Sequence, residues 1–154
     1  MMHAMQTAAL ALQAGSSNSL ILASLLHDIG HFLIDLSGTP SERGINDQHE
    51  YRAAHALKSC LPKSVTEPIR LHVKAKRCLV CDPQYFAQLS EDSKRSLQLQ
   101  GGTMNSAERA VFEQEEFHQA ALELRRFDDL AKDPSFETQS WESYWALAEK
   151  LRIA

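Results

Sequence analysis

The sequence predicts an all-α fold, and three observations support that prediction. Apolar residues recur at helical spacing in most segments, runs with the two-residue alternation of β-strands are absent, and several segments begin at a capping residue or end at glycine. The chain has 154 residues, of which 44% are apolar and 23% are charged. A chain of this length buries roughly 70% of its unfolded surface, so we expect residues 1–154 to form a single helical bundle.

Two helices are predicted in the first 33 residues. The first ends at Gly15, a residue type that favours the position after a helix C-terminus. Asn18 or Ser19 can cap the second, which we expect to reach Leu33 because its apolar residues keep the spacing i, i+4, i+7 and i+8. These apolar residues are Ile21, Leu22, Leu25, Leu26, Ile29 and Leu33.

The next helices follow a predicted flexible loop at residues 37–46, which is rich in glycine and proline. A third helix spans residues 49–60, with His49 on the face that points to the core. A fourth helix is capped by Thr66 and tolerates Pro68 in its first turn.

The remaining helices are predicted for residues 90–100, 106–115, 117–132 and 140–151. Gly101 and Gly102 close the first of these. The last helix carries an apolar stripe, which we expect to be core or packing surface because it has no polar partner at matching spacing. The stripe comprises Trp141, Tyr144, Trp145 and Ala148.

Composition excludes several classes of function. A net charge of −4 gives no indication of a nucleic-acid partner. No apolar run reaches the roughly 18 residues that span a bilayer, and the N-terminus lacks the pattern of a signal peptide. Three cysteines, an odd number, favour a reducing cytoplasmic compartment. Cys78 and Cys81 form an isolated CxxC, which we interpret as two ordinary thiols rather than a zinc site.

The adjacent residues His27 and Asp28 are the most informative pair in the chain. They lie in the middle of the predicted apolar second helix. An ionised carboxylate beside an imidazole in such a setting is costly unless a cation takes up its charge. The pair therefore indicates a metal site.

Further histidines recur on other predicted helices. His3 lies 24 residues before His27, His49 lies 22 residues after it, and His72 lies 23 residues after His49. One such histidine is commonly a hydrogen-bonded core residue, but a whole set of buried imidazoles on different helices must each find a partner. Helical proteins assemble metal centres from facing side chains in this way.

A carboxylate from the predicted helix at residues 117–132 completes the donor set. Asp128 and Asp129 compete for this place, and we favour Asp128 because it shares a helix face with Ala121, Leu124 and Arg125. On this geometry His3, His27, Asp28 and Asp128 hold one ion. His49, His72 and the other oxygen of Asp28 hold a second ion. Imidazole and carboxylate donors suit iron, manganese, cobalt or zinc, and the sequence does not choose among them.

Two cations are placed to face this centre. Lys76 lies one turn beyond His72 and Arg125 one turn before Asp128, so the pocket is expected to take an anion of phosphate size. Neutral hydrogen-bonding groups at i, i+3 and i+7 form either part of this pocket or a solvated face; they are Ser93, Ser96 and Gln100. His31, at i+4 from His27, also faces the site and is a further candidate contact.

These residues carry a resemblance to the HD-domain metalloproteins. The residues that match in order and type are His3, His27, Asp28, His49, His72 and Asp128. Longer stretches are more specifically similar to the phosphonate-degrading HD-domain oxygenases, relatives of inositol oxygenase. They are residues 27–32, 67–77, 93–102 and 124–132, and the similarity extends over residues 1–135.

The resemblance implies an HD-domain helical bundle with a mixed-valence Fe(II)/Fe(III) pair, in which His27 and Asp28 belong to the catalytic centre. It implies O₂-dependent cleavage of the carbon–phosphorus bond of a 1-hydroxy-2-aminoethylphosphonate-type substrate, with release of phosphate. The phosphonate is expected to contact six residues: His31, Lys76, Ser93, Ser96, Gln100 and Arg125.

One feature of the family has no counterpart in these residues. Family members carry a tyrosine and a glutamate upstream of the first histidine, whereas this sequence begins two residues before His3. The sequence is then truncated, or its start was assigned too late, or this member has lost the lid segment. In each case we expect the turn that carries His3 to fray and recognition of an amine to be weakened. An HD-class metal-dependent phosphohydrolase and a non-catalytic binding domain are the alternative functions.

Overall fold

The computed structural model describes residues 2–33, 40–133, 135–136 and 138–153, and these residues contain helices and turns without strands. The all-α prediction is confirmed. The α-helices are α1 (Met2–Gln13), α2 (Asn18–Leu26), α3 (His49–Leu57), α4 (Lys63–Leu79), α5 (Pro83–Gln88), α6 (Glu91–Leu99), α7 (Ser106–Phe112), α8 (His118–Leu130) and α9 (Trp141–Leu151). Two short 3₁₀ helices cover Ile29–Leu33 and Pro40–Arg43.

Helix α4 is the centre of the bundle. It packs against α2, α3 and α8, while α1 packs against α2 and α8. The main apolar core lies between these helices and includes Ala8, Leu22, Leu25, Ala53, Val65, Ile69 and Leu124, each at most 7% exposed. Their burial is the main source of stability, since apolar area contributes about 25 cal/mol per Å². No helix in the described residues is both long enough and apolar enough to cross a membrane.

The prediction that α2 continues to Leu33 is wrong. The α-helix ends at Leu26, and His27 and Asp28 lie in the turn before the 3₁₀ helix, not in the middle of an apolar helix. This turn approaches the backbone of His49 so closely that a Cβ atom on Gly30 would overlap the carbonyl group of His49. Glycine is therefore required here, and the break in the helix directs the His27–Asp28 pair toward α3.

Several helix ends also differ from prediction. Ser17, rather than Asn18 or Ser19, caps α2 by accepting a hydrogen bond from the Leu20 amide. Helix α4 begins at Lys63 after Pro62, three residues before the predicted cap at Thr66.

Pro68 consequently lies inside α4 and not in its first turn. Helix α5 was not expected, although Asp82 and Pro83 form an ordinary N-terminal signal for it. By contrast, α6 agrees with the predicted helix at residues 90–100 and is followed by Gly101 and Gly102 as expected; Ser90 caps it, and both glycines have positive φ.

Helix α9 buries its aromatic stripe only in part. Tyr144 is 2% exposed, whereas Trp141 and Trp145 are 45% and 59% exposed and border an apolar groove against α2 and α3. Of the predicted loop at residues 37–46, residues 37–39 lie outside the described part of the chain, and residues 40–46 include the second 3₁₀ helix.

Candidate metal centre and anion-binding cleft

One polar cleft of about 470 Å³ brings the predicted site residues together. Helices α1, α3, α4, α6 and α8 and the turn after α2 supply its walls. The predicted residues that line it are His3, Asp28, His31, His49, His72, Lys76, Ser93, Ser96, Gln100, Arg125 and Asp128. His27 is fully buried next to Asp28. The structure thus assembles in one place every residue that the sequence nominated, while their roles stay predictions.

Asp28 lies between two groups of histidines. Its Oδ2 atom is 3.3 Å from His27 Nε2 and 3.9 Å from His3 Nε2. Its Oδ1 atom is 3.7 Å from His31 Nε2 and 3.8 Å from His49 Nε2. Each carboxylate oxygen therefore faces a different set of nitrogen donors, which is the arrangement that a carboxylate bridging two cations requires.

The first group of donors comprises His3, His27 and Asp128, and their ligand atoms lie within 4.8 Å of one another. Asp128 Oδ1 is 2.9 Å from His3 Nε2 and 3.6 Å from His27 Nε2. His27 Nε2 is buried and has no hydrogen-bond partner among the described residues. A buried nitrogen without a partner is costly, and a metal ion at this position satisfies it, so these residues fit a metal.

The second group surrounds His49 and His72, whose Nε2 atoms are 3.1 Å apart. Burial, together with the neighbouring His49 and His27, holds the pKa of His72 well below its usual range. The neutral His72 ring donates its Nδ1 proton to the Ile69 carbonyl at 2.7 Å, so its Nε2 lone pair points at His49. Asp28 Oδ1 completes this group, and the ligand atoms of Asp28, His31 and His49 lie within 4.8 Å of one another, so these residues also fit a metal.

The outer nitrogen of each ring is already held by the protein. The Nδ1 acceptors are Ala131 O for His3 (2.9 Å), Ser24 O for His27 (2.8 Å), Ile69 O for His72 (2.7 Å) and Asp47 Oδ1 for His49 (3.1 Å). Such bonds fix the tautomer and the orientation of metal-binding imidazoles. His3 lies within α1, and both of its ring nitrogens form hydrogen bonds. The side chain is therefore held more firmly than we expected for a terminal turn that frays.

The charges around the two histidine groups, which form the metal end of the cleft, favour a cation. Burial alone would lower the pKa of His27, but Asp28 and Asp128 outweigh it and raise that pKa to about 9. Burial likewise opposes ionisation of Asp128, yet Arg125 and His27 hold its pKa well below the usual range. The carboxylates thus stay ionised and attract positive charge, and a metal that binds here displaces the proton on His27.

The other end of the cleft is built around Lys76. This side chain is only 2% exposed, and its Nζ donates to Ser96 Oγ at 2.9 Å. Burial and the neighbouring Arg125 lower the pKa of Lys76 to about 7. Gln100 adds a buried Oε1 atom that has no hydrogen-bond partner in the described part of the chain. Lys76 Nζ and a serine hydroxyl suit an oxyanion, which accepts hydrogen bonds from both, whereas Gln100 Oε1 only accepts and a contact to an anion would have to come from the Gln100 NH₂ group.

Arg125 is more fully paired than its predicted role as a substrate contact requires. Its Nη1 is 2.6 Å from Asp128 Oδ2, and its Nε and Nη2 both bond to Asp129. Asp129 also accepts from Tyr85 Oη at 2.6 Å. The structure therefore places Asp128, and not Asp129, beside His3 and His27, and the Arg125 guanidinium orients that carboxylate.

Asp47 is a site residue that the sequence analysis missed. It is 6% exposed, lies two residues before His49, and accepts hydrogen bonds from the Nδ1 atoms of His49 and His31. Opposite charges on these rings and their hydrogen bonds outweigh the effect of burial and lower the pKa of Asp47. The spacing Asp-x-His just before a predicted helix was the available signal.

Comparison with known proteins identifies the family to which the chain belongs. The chain matches no protein-family model. It is 46% identical over 144 residues to a hydroxymethylphosphonate dioxygenase from Gimesia maris, a match that covers 92% of this chain and 72% of the relative. It is 37% identical over 151 residues to a glycine-betaine-forming 1-hydroxy-2-(trimethylamino)ethylphosphonate dioxygenase from Leisingera caerulea, covering 97% and 76%. The oxygenase prediction is thereby confirmed over the hydrolase alternative, and this chain belongs to the family of phosphonate dioxygenases.

Proposed function

We propose that this chain is a di-iron dioxygenase that cleaves the carbon–phosphorus bond of a small 1-hydroxyphosphonate and releases phosphate. The observation that carries the proposal is the position of Asp28, whose two oxygens face separate histidine groups at 3.3–3.9 Å. This centre shares a cleft with the buried cation Lys76. We also propose that residues 1–154 form one HD domain related to inositol oxygenase.

The two metal positions follow from the geometry. His3, His27, Asp28 and Asp128 surround the first, and His49, His72 and Asp28 surround the second. Nitrogen and oxygen donors suit iron but also manganese, cobalt and zinc, and the resemblance to di-iron HD-domain oxygenases favours iron. Bound iron supplies the activation of O₂, which none of the side chains supplies.

The protein's own groups bind and orient the phosphonate. We assign the charge-assisted contact to Lys76, with further hydrogen bonds from Ser96, Ser93 and Gln100. His31 lines the cleft beside Asp28 and is placed to contact the substrate hydroxyl. A direct contact from Arg125 stays a prediction, because its guanidinium is engaged by Asp128 and Asp129.

The cleft also bears on the size of the substrate. Apart from the candidate metal ligands, its described carboxylates are Asp47, Asp92 and Asp129, and each has partners already. Asp92, for example, bonds to Ser41 and Arg95. Among the described residues that line the cleft, no carboxylate is therefore left for an ammonium group, which makes hydroxymethylphosphonate the first substrate to test and 1-hydroxy-2-aminoethylphosphonate the second.

The test is oxygen-dependent phosphate release by the iron-loaded chain. With hydroxymethylphosphonate we expect one O₂ consumed for each phosphate and each formate formed, because O₂ plus the substrate balances to those two acids. The aminoethyl substrate should give glycine and phosphate. Phosphate release that persists under strict anaerobiosis, or no product from either substrate with iron bound, would overturn the proposal.

A further inference from the structure

Asp47 joins two imidazoles that belong to different parts of the site. It lies just before α3 with its carboxylate almost fully buried. Its Oδ1 accepts from His49 Nδ1 at 3.1 Å, and its Oδ2 accepts a short hydrogen bond from His31 Nδ1. The two rings stack on each other with centroids 3.9 Å apart and planes inclined by 22°.

The inner nitrogens of the same two rings also converge. His49 Nε2 and His31 Nε2 lie 3.8 Å and 3.7 Å from the same atom, Asp28 Oδ1. His49 faces His72 in the second metal position, whereas His31 is 37% exposed at its side chain and lines the cleft. The carboxylate of Asp47 thus holds the stacked pair at the Nδ1 atoms, and the carboxylate of Asp28 faces the Nε2 atoms of the same two rings.

This anchoring differs from that of the other site histidines. The Nδ1 atoms of His3, His27 and His72 donate to backbone carbonyls, which are fixed by the fold. His49 and His31 depend instead on a shared side chain. Because a carboxylate only accepts hydrogen bonds, Asp47 makes both Nδ1 atoms donors and leaves both Nε2 atoms directed at the cleft.

We propose that Asp47 is a positioning residue that sets the tautomer and orientation of His49 and His31 together, and so couples the second metal position to the substrate-facing ring. The inference rests on the metal centre proposed above. The backbone of Asp47 is anchored independently, since its carbonyl accepts from Arg52 Nε at 2.8 Å. The Asp47 side chain also accepts from the His49 amide through Oδ1 at 3.4 Å, a bond that the remaining oxygen of asparagine can keep.

Asp47→Asn tests the proposal, because asparagine keeps the shape but has only one acceptor oxygen. Its NH₂ group must then face the Nδ1 proton of one ring, which forces that ring to turn or to change tautomer. We expect affinity for one of two Fe(II) ions, the one at the second metal position, to fall about 10- to 100-fold in anaerobic titration calorimetry. Asp47→Glu, which restores the carboxylate, should recover part of that loss.

Asp82→Asn is the matched control. Asp82 caps α5 at the surface by accepting from the Gln84 amide, a bond that asparagine makes equally well. This variant should bind Fe(II) as the wild type does. Equal Fe(II) affinities in Asp47→Asn and Asp82→Asn would overturn the proposal.

A second measurement uses the wild-type protein, so it depends neither on catalytic turnover nor on whether a variant folds. In the wild-type, metal-free chain labelled with ¹⁵N, the Nδ1 protons of His31 and His49 should be visible, shifted downfield and slow to exchange. A His31 Nδ1 proton that exchanges as fast as that of the exposed His55 would overturn the proposal. A chain that passes both tests but oxidises no phosphonate would defeat the proposed function and leave the role of Asp47 standing.

Discussion

The two ends of the cleft differ in how far their polar side chains already have hydrogen-bond partners. At the metal end, His27 Nε2 has no partner among the described residues, and the Nε2 atoms of His49 and His72 face each other at 3.1 Å. At the other end, Lys76 and Arg125 already hold hydrogen-bond partners. The first end therefore suits a cation, whereas at the second end both cationic side chains are already held in place and Gln100 Oε1 is the buried atom without a partner in the described part of the chain. Loss of a metal ligand should therefore cost more than loss of an anion contact.

The largest effect is expected from Asp28→Asn. This change removes the charge of the carboxylate that faces both donor groups, so affinity for both ions should fall by at least about 100-fold. His3→Ala, which touches only the first group, should reduce the iron content toward half of the wild-type value. Iron per chain after gel filtration measures both variants, and an equal fall in the two would contradict the bridging role of Asp28.

A smaller effect is expected at the cation end. Lys76→Ala removes a charge-assisted contact of roughly 1.5–3 kcal/mol, which corresponds to an increase in KM for the phosphonate of about 10- to 100-fold. The iron content should not change, because Lys76 is not among the metal-binding groups. Lys74→Ala is the matched control, since Lys74 lies on the same helix but points to Glu115. A KM in Lys76→Ala equal to that of the control would place the anion elsewhere.

Arg125 sharpens the contrast because it reaches from one end of the cleft to the other. Arg125→Lys keeps the charge but loses the planar group that contacts Asp128 and Asp129 together. Iron retention should therefore fall about tenfold in this variant, unlike in Lys76→Ala. Unchanged iron retention with a raised KM would instead assign Arg125 to the substrate, as the sequence analysis predicted.

The smallest expected effect is on pH dependence. With a pKa of about 7, Lys76 is charged below neutral pH in the free protein and loses its proton above it. Because the phosphonate binds the charged form, KM should rise by about five- to sixfold from pH 7 to pH 8. Lys76→Arg keeps its charge, so its KM should lack this rise, while ionisation of the substrate affects both proteins alike. Identical pH profiles would exclude titration of Lys76 as the cause.

The candidate donor residues that the sequence nominated lie together in the structure, whereas several contacts around them were not predicted. Histidine and aspartate at these positions have few alternatives when several helices converge, so His3, His27, Asp28, His49 and His72 could be nominated from residue type and spacing. Their meeting in one cleft followed from the packing of α1, α3, α4 and α8.

What the sequence did not reveal depends on tertiary contacts. The early end of α2 reflects the close approach of Gly30 to the backbone of His49. Asp47 joins two rings that lie 16 and 2 residues away from it, a pairing without helical periodicity. The pairing of Arg125 was available from sequence, because Asp128 and Asp129 follow it at i+3 and i+4.

The central claim is that one carboxylate joins two metal ions in this cleft. Anaerobic titration of the wild-type chain with iron, followed by Mössbauer spectroscopy, tests it most directly. We expect binding to saturate at about two irons per chain and the two ions to be magnetically coupled through the carboxylate of Asp28. Saturation at one iron per chain, or two irons without coupling, would contradict the account.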